Sequence, residues 1–71
     1  MIHAYIRGPE ARVVATTLPT VGEVISLVGF GEVWVIGLTH DAHDNYIELR
    51  RGDYSFRSPF TVEDNFPSSR F

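Results

Sequence analysis

The run Val33-Trp34-Val35-Ile36-Gly37-Leu38-Thr39-His40 decides how this chain is read. It is dense in β-branched and aromatic side chains, which suit a pleated surface and lose rotamer freedom in a helix. Its period is two. Trp34, Ile36, Leu38 and His40 share one face, and Val33, Val35, Gly37 and Thr39 share the other. Both faces are apolar near the start of the run. A strand of that kind is central in its sheet or covered by a second subunit.

The same period extends in both directions. Towards the N-terminus, Gly29-Phe30-Gly31-Glu32 is a short hairpin connection. Residues 23–28 form a strand with Ile25 and Leu27 on one face and Val24 and Val28 on the other. Pro19 and Gly22 mark a turn before it, residues 12–18 form a Val- and Thr-rich strand, and Gly8-Pro9-Glu10 is another turn. Ile2, Ala4 and Ile6 alternate with His3, Tyr5 and Arg7 as a first strand. Towards the C-terminus, Asp41-Ala42-His43-Asp44-Asn45 is a polar loop and residues 46–50 return as a strand with Ile47 and Leu49 inward. Gly52 turns the chain into a last short strand at residues 54–57, where Tyr54 and Phe56 share a face.

Short strands at this spacing imply an all-β domain that closes on itself, because closure removes the edges that would pair with other chains. The expectation is a small five- to six-stranded antiparallel barrel over residues 1–57, SH3-like or, alternatively, OB-like. Residues 58–71 read as an aromatic C-terminal tail, packed on the barrel or on a partner.

Composition narrows the function. A chain of 71 residues has room for one domain with a marginal core. It has no cysteine, so disulfides and thiolate metal sites are unavailable, and self-association becomes the expected reinforcement. No apolar run reaches the ~18 residues of a membrane span, and residues 1–7 lack the pattern of a signal peptide. The expected location is therefore the cytoplasm. The net charge of −3 argues against nucleic acid, whose phosphates favour basic partners. All six basic residues are arginine.

The pattern Leu18-Pro19, Gly22-Glu23, Ile25, Trp34, Ile36, His40, Ile47 and Leu49 resembles small uncharacterised proteins encoded by phages and by bacterial genomes carrying prophages. It spans under half of the chain and consists of strand and turn positions. The resemblance implies a compact barrel of phage or mobile-element origin and carries no activity with it.

Candidate sites follow from residue chemistry. His40, Asp41, His43 and Asp44 are the densest potential metal ligands, but they lie on a strand end and a loop with no second ligand pair, so they read as a solvated acidic loop and no metal or other cofactor is expected. There is no nucleophile elbow, phosphate loop or patterned carboxylate pair, so no enzyme activity and no catalytic residue is expected. Arg51-Gly52-Asp53 matches an integrin-recognised tripeptide and reads as a coincidence of a glycine turn.

The reading favoured on these grounds is a non-catalytic phage accessory protein that binds and inhibits a host protein. Its partner-binding residues are Val33, Trp34 and Val35, if they lie on an exposed face, with Phe60, Phe66 and Phe71 of the tail. The alternative is an oligomeric nucleotide-binding sponge. It would use Arg50, Arg51, Tyr54 and Arg57, since arginine among aromatics supports stacking plus charge. A third reading is a virion or assembly protein.

Overall fold

The computed structural model describes residues 2–63, and all their regular structure is strand. The strands are β1 (Ile2–Arg7), β2 (Arg12–Ala15), β3 (Val24–Leu27), β4 (Gly31–His40), β5 (Asn45–Arg51) and β6 (Tyr54–Val62). No helix among the described residues is long and apolar enough to cross a membrane.

The strands close into a barrel in the order β1-β2-β6-β5-β4-β3. From β3 to β6 the chain is a meander in which each strand pairs antiparallel with the next. The β1–β2 hairpin fills the remaining gap, with β1 beside β3 and β2 beside β6. Both of these seams are parallel, a feature absent from the all-antiparallel expectation. The parity of the meander requires that they be alike. Three antiparallel steps leave β3 and β6 running oppositely, so an inserted hairpin meets both neighbours in the same sense.

The inward positions form one core. Ala4, Val13, Ala15, Ile25, Leu27, Val33, Val35, Ile47, Leu49 and Phe60 are buried together, with Ile2, Leu38 and Phe56 packed against them. Full burial of one such aliphatic side chain stabilises by about 1.5–3 kcal/mol. Ile25, Leu27, Ile47 and Leu49 face inward as their alternation requires.

The structure corrects three sequence expectations. Val33 and Val35 are not on an exposed face: both are core residues, and only Trp34 between them points outward. The alternation of β4 also breaks in the middle. The β4–β5 register shifts between Val35 and Gly37, so that Val35 faces Leu49 while Leu38 faces Ile47. Ile36 is the extra residue of this β-bulge, which returns Leu38 to the core side although its parity matched Trp34. Finally, the barrel does not end at residue 57. β6 runs on to Val62, pairs with β2 through Val13↔Phe60 and Ala15↔Val62, and buries Phe60 to 3% exposure. Phe60 is therefore a core residue and not a docking residue. Phe66 and Phe71 lie outside the described residues.

Phe60→Ala is expected to cost about 3–5 kcal/mol, the range for removing a buried aromatic ring. Urea unfolding followed by circular dichroism would show this as a large drop in midpoint. A loss within about 0.5 kcal/mol, typical of a surface residue, would contradict the core assignment.

Candidate functional site

A filled barrel leaves its function to the outside and the two ends. Three regions of the described surface carry chemistry, and each is set by a different local rule.

The first lies on the outer face of β4 and β5. Trp34 and Ile36 are 51% and 45% exposed. Trp34 stands directly across from Arg50, and Glu48 stands across from Gly37. Trp34, Ile36 and Arg50, with Val21 and Gly22, border an open groove of about 560 Å³. Arg50 is held in place by its own turn: its Nε donates to the Gly52 carbonyl at 2.7 Å. Gly37 has a visible purpose here. A Cβ at that position would lie 2.3 Å from Glu48 Oε1, so the missing side chain gives the carboxylate its place.

The second region is the barrel end where the β3–β4 and β5–β6 hairpins meet. Phe30 sits at a hairpin tip between Gly29 and Gly31, whose φ values of +80° and +113° are strained for other residues. Its ring meets Phe56 edge-on at 5.6 Å, and Phe56 stacks on Tyr54 at 5.5 Å. The Arg51 guanidinium lies over the Phe30 ring at 4.9 Å. Phe56 reaches the core, whereas Val28 and Tyr54 are largely exposed at 70% and 63%. The result is a preassembled patch of aromatic, aliphatic and arginine side chains on a firm base.

The third region is the loop at the opposite end, and its polar groups are committed to the fold. The Asp41 carboxylate accepts the backbone N–H of His43 at 2.8 Å and of Asp44 at 2.9 Å. These bonds hold its carboxyl below the usual carboxylate range. Arg12 Nη1 donates to Asp44 Oδ1 at 2.9 Å and to Thr61 Oγ1 at 3.0 Å, while Nη2 donates to Asp44 Oδ2. This bidentate pair ties β2 to the β4–β5 loop with side chains only 20% and 24% exposed. It lowers the Asp44 pKa and raises that of Arg12. Among the described residues no group of three or more His, Cys, Asp or Glu is arranged for a metal ion. A groove of about 490 Å³ beside this loop runs between Leu18, Leu38, Tyr46 and Val62.

The nucleotide set is brought together only in part, since Arg51 and Tyr54 are cross-strand partners at the aromatic end while Arg50 and Arg57 point elsewhere. Arg50 belongs to the β4–β5 face, Arg51 lies on Phe30, Tyr54 stacks on Phe56, and Arg57 lies over the Tyr46 ring at 4.1 Å. Sequence reading missed Val21, Val28, Phe30 and Ile36 as surface residues. The two glycines around Phe30 marked a turn tip, where a side chain has little cover, and were the available signal. No protein-family model, curated protein or solved structure matches the chain.

The acid limb of stability follows from the two lowered carboxyls. A folded pKa below the unfolded value stabilises fully above the ordinary Asp pKa of about 3.9, and that contribution is lost as pH falls through the folded value. Thermal unfolding should therefore shift to lower temperature as pH drops below about 4. Asp44→Asn should unfold earlier at neutral pH and lose less than the parent chain on acidification. Parallel melting curves for the two proteins across the acid range would contradict the role of the Arg12 pair.

Proposed function

We propose that this chain is a non-catalytic protein-binding module whose docking surface is the aromatic end of the barrel, formed by Val28, Phe30, Arg51 and Tyr54. The observation that carries the reading is the stack of Phe30, Phe56 and Tyr54, capped by Arg51 and anchored on the core. Interface hot spots favour these residue types, and a surface held rigid before contact loses little entropy on binding.

Two further features support surface recognition of a protein. The closed ring pairs every strand on both sides over part of its length, which leaves only short stretches of β4 and β6 paired on one side for an added peptide strand and favours a grip by side chains. The interior is occupied by the core, and the groove on the β4–β5 face is open, with few convergent polar groups of the kind that orient a small ligand. The scattered directions of Arg50, Arg51 and Arg57 disfavour a nucleotide sponge. The phage or mobile-element origin that the resemblance of residues 18–49 implies makes a host protein the proposed partner, and inhibition of that protein is the proposed outcome of binding.

Affinity capture from a bacterial host lysate with the parent chain, Tyr54→Ala and Trp34→Ala tests this. A specific partner should be enriched by the parent and by Trp34→Ala and be reduced about 30-fold or more by Tyr54→Ala, the size of a hot-spot loss. A capture profile unchanged by Tyr54→Ala would refute the assignment of this end.

A further inference from the structure

The β4–β5 face is a separate surface with its own pattern, and we infer that it pairs with the same face of a second copy, Trp34 against Ile36 and Arg50 against Glu48. The register supplies the argument. Along β4 the outward residues are Trp34 and then Ile36 at the bulge. Along β5, which runs the other way, Arg50 stands across from Trp34, and Glu48 stands beside Ile36 across from Gly37. The face thus carries two adjacent rows: an aromatic ring with a cation, and an aliphatic side chain with an anion.

A two-fold axis lying in the interface, perpendicular to the strands and passing between those rows, superposes each row on the other. It sets Trp34 of one copy over Ile36 of its mate and Arg50 over Glu48. By symmetry every contact occurs twice, giving two apolar contacts and two opposite-charge contacts from four residues. Face-to-face packing of aligned sheets is an ordinary arrangement for such strands.

The side chains are ready for this role. Among the described residues neither Arg50 nor Glu48 is in a salt bridge. Arg50 uses its Nε on Gly52 and directs no terminal nitrogen to a protein partner in the described set. The carboxylate of Glu48 lies over Gly37, next to the bulge. The groove of about 560 Å³ bordered by Val21, Ile36 and Arg50 provides space for the partner copy's indole. A small core without disulfides also gains directly from this burial.

The test is a charge exchange read by sedimentation equilibrium across micromolar to millimolar concentrations. The parent chain should be a dimer. Trp34→Ser should weaken association about 100-fold, since a hot-spot side chain is removed twice. Arg50→Glu and Glu48→Arg should each weaken it about tenfold, because each sets like charges across the axis twice. The double variant Arg50→Glu with Glu48→Arg should recover parental association, which simple damage to the fold cannot produce. Circular dichroism confirms that each variant is folded. A monomeric parent chain, a dimer indifferent to Trp34→Ser, or a double variant no better than the singles would each overturn the pairing. Tyr54→Ala should leave the dimer unchanged, so loss of host-protein capture and loss of the dimer remain separate results.

Discussion

Closure of the sheet is the constraint on which the rest of this molecule depends. A six-stranded ring gives every strand a neighbour on both sides and leaves only short stretches of β4 and β6 paired on one side. The β1–β2 hairpin performs the closure by joining β3 at one seam and β6 at the other. Those seams connect residues far apart in sequence, such as Ala15 and Val62. They therefore form only when the whole chain is in place, and β6 has to extend past Phe60 to complete its seam. Phe60 fills the core where that seam forms, which explains why a residue so near the end of the described chain is buried.

A ring this small has no spare interior. Its core is built from aliphatic side chains and one fully buried phenylalanine, with Phe56 reaching in from one end. The exposed apolar groups on the outside include two patches of different character. The end patch is rigid because its aromatics lean on one another and on the core. The side patch borders a groove, carries one cation and one anion, and owes its layout to the bulge at Ile36 and the open position at Gly37. Polar chemistry at the far end serves the architecture: Asp41 closes its own turn, and Asp44 receives Arg12 from across the barrel.

Much of this was written in local sequence. Period-two alternation put Ile25 with Leu27 on one face and turned Ile47 and Leu49 inward, as the structure has them, because one face of each strand is buried. Glycines located the turns at Gly8, Gly29, Gly31 and Gly52, all of which have positive φ. The absence of cysteine excluded disulfides, so no covalent cross-link supplements the packing of the core. Alternation set Trp34 on the face opposite Val33 and Val35, but with both faces apolar it did not say which of them points outward.

Tertiary structure alone decided the rest. Inserting one residue reverses the facing of every side chain beyond it; Gly37 signals an irregularity in the run from Val33 to His40, but the partner strand sets the shift by fixing Leu38 opposite Ile47. The two parallel seams, the Arg12–Asp44 pair and the assembly of Phe30 with Arg51, Tyr54 and Phe56 join segments that local pattern cannot connect. Sequence thus determined a small barrel with apolar surface to spare. Which residues form that surface was decided by closure and register, because both are properties of pairs of strands and are absent from any strand taken singly.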